Sequence, residues 1–153
     1  MGARYTKFLT CSLVSISVII GLVCASDWPC FQGDEVNSGL TTDDLPTDPR
    51  VLWSVDLLRI DVTPIIASGQ VYVLADNGTL WALDRANGET AWKAQMDGWV
   101  FQTSTPALSG DEIFAATDSG DLAAFDARTG EEFWVRHLTD RRFEVPITSF
   151  DGR

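Results

Sequence analysis

The chain has 153 residues, 45% of them apolar and 22% charged, with 11 Lys and Arg against 22 Asp and Glu. The apolar share is enough for a packed core and excludes a disordered chain. The formal net charge of −11 excludes a nucleic-acid binder, because a phosphate backbone would be repelled rather than exchange its counterions.

In chain order, Arg4 and Lys7 open a positively charged start, followed by the uncharged apolar run "FLTCSLVSISVIIGLV" and the small-residue stretch "VCAS". This is the pattern of a secretory signal peptide over residues 1–25, cleaved between Ala25 and Ser26. The alternative is an uncleaved N-terminal anchor, since the run approaches the roughly 17 residues needed to span a bilayer; any membrane contact is expected through that anchor alone. Bulky Val23 makes Cys24 a poor lipid-attachment site. Removing the leader takes away Arg4 and Lys7 and no acids, leaving nine basic against 22 acidic residues and a net charge of −13. An acidic exported surface favours solubility. Cys11 and Cys24 leave with the leader, so Cys30 has no disulfide partner in the mature chain. With no CxxC pair and a single histidine, His137 in the polar stretch "VRHLTDRR", no zinc site is expected, and His137 reads as solvated.

Residues 26–47 form a lead-in segment. Its "DDLPTD", Asp43 to Asp48, has carboxylates but neither the Gly nor the terminal Glu of a calcium loop, so no metal site is assigned. After Trp53 in "VLWSVDL" comes "VYVLADNGTLWALDRANGETAW" (Val71 to Trp92), repeated 42 positions later as "IFAATDSGDLAAFDARTGEEFW" (Ile113 to Trp134). Pro64, Asp76, Gly78, Leu80, Ala82, Asp84, Gly88, Glu89 and Trp92 recur as Pro106, Asp118, Gly120, Leu122, Ala124, Asp126, Gly130, Glu131 and Trp134. A period near 40 belongs to repeat architectures.

Within a copy, "PIIA", "VYVLA", "TLWALD" and "TAWKA" are too short for helices and rich in β-branched and aromatic residues, with turn signals between them. "DNG" and "DSG" are tight hairpin signals. In the longer turns "DRANG" and "DARTG", Asp84 and Asp126 are expected to accept amide hydrogens across the turn rather than act in catalysis. Each copy is thus a four-stranded antiparallel unit that cannot cover both faces alone. Stacked radially, such units make an all-β propeller. Trp92 and Trp134 are expected on outer strands, packing across blade interfaces, with Trp53 ending an earlier partial blade.

The run of turn Gly, apolar-aromatic-Ala-Leu/Phe-Asp, "NG" or "TG", Glu and Trp resembles the tryptophan-docking repeat of quinoprotein-type (PQQ-like) β-propellers. "DWPCFQGDEVNSGLT" (Asp27 to Thr41), with Trp28, Pro29, Phe31, Gly33 and Gly39, resembles the segment that follows the signal peptide in secreted members. The resemblance implies one of two things: a dehydrogenase that holds pyrroloquinoline quinone and calcium in a central channel, or a scaffold without cofactor. The first implies an adjacent cysteine pair, calcium ligands and a catalytic Asp; no Cys-Cys is present, so no catalytic, cofactor-binding or metal residue is assigned and no cofactor is expected.

The repeats are expected near 62–103 and 104–143, inside a partial propeller spanning 48–153. "VPITSFDGR" (Val145 to Arg153) aligns with "TPIIASGQ" (Thr63 to Gln70), so a third blade reads as truncated and the chain as an N-terminal fragment, short of the roughly four to eight blades of a closed ring. The connections "KAQMDGWVFQTST" and "VRHLTDRRFE" hold the candidate contact residues Trp99 and Phe101, and Arg141 and Arg142. The ordinary expectation is interblade burial for these aromatics and a solvated loop for the arginines. The resulting reading is a non-enzymatic, exported scaffold that binds protein or glycan at the cell surface. It would lie extracellularly, on the surface or in the periplasm. The alternative is the first part of a PQQ-dependent alcohol or sugar dehydrogenase.

Overall fold

The computed structural model describes residues 26–44, 46–100, 104–143 and 145–149; the leader and Phe101 lie outside them. Eight strands form two antiparallel sheets. The first contains β1 (Ile65–Ala67), β2 (Gln70–Leu74), β3 (Thr79–Asp84) and β4 (Thr90–Gln95). The second contains β5 (Ala107–Ser109), β6 (Glu112–Ala116), β7 (Asp121–Asp126) and β8 (Glu132–His137). Each sheet is a meander in sequence order, the arrangement of propeller blades, and no helix occurs among the described residues.

Register repeats as closely as sequence. Ala82 lies opposite Trp92 and Ala124 opposite Trp134, and a bulge follows each alanine, at Ala82/Leu83 and Ala124/Phe125. The turn glycines explain the hairpins: Gly78 and Gly120 sit at φ +81° and +90°, a region that side chains with a Cβ avoid. In the longer turns the Asp84 carboxylate accepts from the amides of Ala86 (2.8 Å) and Asn87 (3.2 Å). Asp126 accepts from Arg128 (2.9 Å) and Thr129 (2.8 Å). These bonds, with Thr129 contributing most, hold the Asp126 carboxyl below its ordinary range.

The core lies between the sheets. Tyr72, Leu74, Leu80, Ala82 and Trp92 of the first blade pack against Ile113, Ala115, Ala123 and Phe125 of the second. The Trp92 indole N–H donates to the Ala127 carbonyl (2.9 Å), which also accepts from the Tyr72 hydroxyl (3.1 Å). The ring lies so close over Gly130 that a Cβ there would be 2.5 Å from Cε3. Trp53 repeats this one blade earlier: its indole donates to the Arg85 carbonyl (2.8 Å), and a Cβ on Gly88 would be 2.6 Å from its Cε3. Trp134, on the last described strand, is half-buried, packs on Phe114 of its own sheet at 6.0 Å, and carries the Arg136 guanidinium 5.7 Å from its ring centre.

The lead-in segment ties the two first strands together. Trp28 pairs with Ile66 of β1, and the Pro29 carbonyl accepts from the Leu108 amide of β5 (2.8 Å). These contacts place the β1 and β5 edges side by side, with β4 and β8 outermost. Cys30 is buried and reduced, and burial, then nearby Asp34 and Glu35, pushes its thiol pKa up.

Candidate functional site

Two ends of each blade differ in character. The end with the Asp84 and Asp126 turns is occupied by the tryptophan docking just described. Nearby lies a cleft of about 380 Å³, lined by Ser68, Gln70, Tyr72, Asp111 and Asp126 among others. The Tyr72 hydroxyl there is committed to Ala127, and the Asp126 carboxylate to its turn.

The opposite end is built from the β2–β3 and β6–β7 hairpins and the connections between blades. Residues 96–100 thread between the hairpins and are pinned to both. Met96 donates its amide to the Gly78 carbonyl (2.9 Å) and Val100 to the Asp76 carbonyl (2.8 Å). Trp99 exchanges bonds with Asp118: its amide donates to the carboxylate (3.0 Å), and its carbonyl accepts from the Asp118 amide (2.8 Å). Gly98, at φ +104°, lets the chain pass against Ser119, where a Cβ would lie 2.6 Å from the hydroxyl oxygen. Val100 is buried, whereas the Trp99 side chain turns outward with 61% of its surface exposed.

The same position recurs in each blade. The Arg59 carbonyl accepts from the Asp76 amide (2.9 Å), as Trp99 does from Asp118. Leu138 donates to the Gly120 carbonyl (2.9 Å) as Met96 does to Gly78, which puts Arg141 where Trp99 stands. Arg59, Trp99 and Arg141 therefore mark equivalent outward positions on one end of the array, and all three side chains are exposed. Arg59 forms a two-pronged ion pair with Asp61, at 2.7 and 3.0 Å. Below Arg141, His137 ends β8 and bridges Asp121 (2.8 Å) and Asp140 (3.1 Å). These two bonds, that to Asp121 first, raise its pKa above the ordinary value.

Interblade burial, the ordinary expectation for Trp99, is not what occurs: the two bonds with Asp118 fix its backbone at the surface and direct the ring outward. Arg141 and Arg142 are exposed as expected of that loop. His137 belongs to a strand end with two carboxylate partners and not to a free loop. Arg59 was missed by sequence reasoning; it is 40 residues before Trp99, off the 42-residue period, and only the shared carbonyl-to-Asp bond reveals its equivalence. Among the described residues no three of His, Cys, Asp or Glu converge to hold a metal ion, and the one described cysteine is buried in the lead-in segment. These donors do not fit a quinone and calcium centre, and no reaction step is assigned to one.

The family model PQQ_2, described as outer membrane protein assembly factor BamB, matches residues 45–151. The chain is similar to the outer membrane protein assembly factor BamB of Yersinia pestis, at 49% identity over 37 residues (24% of this chain, 9% of that protein). To the corresponding protein of Salmonella typhimurium strain LT2 it is 45% identical over 40 residues (26% and 10%). It therefore spans about a tenth of the length of these curated relatives. Among solved structures, BamB from Moraxella catarrhalis superimposes with a TM-score of 0.52 at 25% identity, covering 57% of this chain and 28% of that one. The quinohemoprotein alcohol dehydrogenase of Comamonas testosteroni superimposes at 0.68 with 20% identity, covering 82% and 22%, a likeness of fold alone. With the family match running over both blades and their docking tryptophans, the chain belongs to the PQQ-like, BamB-type β-propeller family.

Proposed function

We propose that this chain is part of a non-enzymatic, exported β-propeller scaffold that binds a protein partner at the cell envelope through the loop end bearing Arg59, Trp99 and Arg141. The observation that carries the reading is the exposed Trp99 ring on a backbone pinned by both hairpins. A large aromatic surface held rigidly in water is the residue type that anchors protein interfaces, and preorganisation lowers the entropy lost on binding. Flanking arginines on an otherwise acidic chain favour a partner segment that is itself acidic or presents carbonyl groups.

The relatives named as outer membrane protein assembly factors support a protein partner over a glycan and an envelope location. The apolar leader pattern of residues 1–25 supports export. The dehydrogenase alternative draws only on a likeness of fold, which hosts unrelated functions.

A photo-crosslinking amino acid placed at position 99 in the protein expressed in its source cell tests the reading. The expected result is a discrete adduct with an envelope protein that is absent when the probe sits at Lys93 on the outer strand. Absence of an adduct at position 99 refutes the proposed surface. Quinone absorbance with dye-linked alcohol oxidation by the purified protein refutes the non-enzymatic reading.

A further inference from the structure

Gln95 at the end of β4 and His137 at the end of β8 occupy the same place in their blades, opposite Thr79 and Asp121. In the first blade that place holds a fixed clamp. The Gln95 amide accepts from the Thr79 hydroxyl (2.8 Å) and donates to the carbonyls of Asn77 (2.8 Å) and Met96 (2.9 Å). One side chain that does not titrate thus ties strand, hairpin and outgoing connection together. His137 makes the corresponding ties through two carboxylates: Nδ1 lies 2.8 Å from Asp121 of β7, and Nε2 lies 3.1 Å from Asp140 of the outgoing connection.

Those partners decide which form of the ring fits. An ionised carboxylate only accepts, and a neutral imidazole has one N–H and one lone pair. Neutral His137 can therefore satisfy one carboxylate while turning a lone pair on the other; only the imidazolium donates to both. The other charged groups around it do not replace either partner. Asp97, on the connection from the first blade, and Glu132 of β8 line the cleft that Asp121 also lines. Arg136 is stacked on the Trp134 ring, and Arg141 and Arg142 follow Asp140 with exposed side chains. Of the two bonds, that to Asp140 is longer and its carboxylate is fully exposed to water, so it is the one given up when the ring is neutral.

The clamp reaches both outward positions of the second blade. Asp121 also accepts from the Ser119 hydroxyl (3.1 Å), which is bonded to Thr117 Oγ1 (2.7 Å). The same hairpin carries Asp118, whose carboxylate holds the Trp99 amide (3.0 Å). Asp140 immediately precedes Arg141. His137 thus fastens the hairpin that holds Trp99 to the connection that bears Arg141.

We propose that His137 is a proton-operated clamp on the loop end: charged, it binds Asp140 and fixes the Arg141 connection against the Asp121 hairpin; neutral, it keeps Asp121 and releases Asp140. Partner binding at that end is then favoured at mildly acidic pH and weakens as pH rises. That consequence rests on the function proposed above, whereas the clamp stands on the two carboxylate bonds alone.

NMR of the isotope-labelled protein purified from its source cell, titrated from about pH 5 to 8, tests the clamp. The expected result is that the Asp140 carboxyl and Arg141 amide signals shift with the His137 midpoint. Amide order over residues 139–142 is lost through that midpoint while the Trp99 amide stays fixed. His137→Gln, which copies Gln95, should remove the pH dependence, and so should Asp140→Asn, an exposed change that tests the clamp even if the first variant fails to fold. A connection whose order is unchanged through the His137 titration overturns the proposal, as does a change that persists in Asp140→Asn. Crosslinking from position 99 in isolated envelopes over the same range separates this from the binding reading. A yield that falls with pH in the parent and is flat in Asp140→Asn supports both. A titrating connection with no adduct at any pH supports the clamp and refutes the binding surface, and an adduct beside a connection that does not titrate refutes the clamp.

Discussion

The Ala127 carbonyl accepts two buried side-chain donors, the Tyr72 hydroxyl at 3.1 Å and the Trp92 indole at 2.9 Å, and Ala127 is itself 7% exposed. Removing either donor leaves the oxygen with the other. Tyr72→Phe therefore costs only the net value of one hydrogen bond, about 1 kcal/mol. Trp92→Phe costs the same bond plus lost ring contacts, about 2 kcal/mol together. Removing both leaves a buried carbonyl without a donor, and the desolvation cost of such a group is about 1–3 kcal/mol. The double variant should thus be less stable than the sum of the singles by about 1–2 kcal/mol. The packing loss from shrinking Trp92 appears on both sides of the cycle and cancels. Urea unfolding followed by circular dichroism measures the four stabilities, with equal m-values as the check that the unfolded state is unchanged. Additivity within about 0.5 kcal/mol would mean that water reaches the carbonyl through the adjacent cleft, and the reading of Ala127 as a shared dry acceptor would fall.

Gly130→Ala should destabilise by about 1–2 kcal/mol of left-handed strain plus about 1–3 kcal/mol of overpacking, since its Cβ meets Trp92 at 2.5 Å at φ +74°. Gly69→Ala, at φ +78° in open space, should cost the strain alone, and equal losses in urea titrations would argue against tryptophan docking as the constraint. The Tyr72 phenol is pushed up to about 12 from 10.0 by burial first, then by Asp126 and Asp27. Its contribution is fully present below pH 10 and is lost as pH rises toward 12, so alkaline unfolding that tracks phenolate absorbance, with a shallower pH slope in Tyr72→Phe, is expected. His137, raised by Asp121 and then Asp140, should titrate above its ordinary value by NMR and move back toward it in Asp121→Asn. Its contribution is complete below the ordinary histidine pKa and fades as pH rises through the folded one.

The parts of the fold legible in sequence are those where one residue type is required. Gly78, Gly88, Gly120 and Gly130 hold positive φ, Asp84 and Asp126 close turns, and Trp53 and Trp92 fill the space above a glycine, so each recurs and the recurrence can be read. What was not legible depends on partners that leave no periodic trace. Tyr72 aligns with Phe114, so its hydroxyl bond to Ala127 has no counterpart in the second copy. The bridge from Trp28 to Ile66 and the bond from Leu108 to Pro29 join segments by backbone groups that every residue carries. The outward turn of Trp99 follows from its two bonds with Asp118, and nothing in "MDGWV" alone separates that outcome from burial.

The same contrast separates the two ends of the scaffold. At the docking end the side chain itself makes the bond and fills the space, so Trp53 and Trp92 stand over Gly88 and Gly130 with no latitude in either partner. At the loop end the connection is held by backbone: Asp76 and Asp118 donate amides to the carbonyls of Arg59 and Trp99, and a carbonyl is indifferent to the side chain beside it. The three equivalent positions accordingly carry Arg, Trp and Arg within a chain whose docking residues repeat unchanged. Under the proposed function, substitutions there would change the charge and aromatic character of that end while leaving the docking bonds of Trp53 and Trp92 in place.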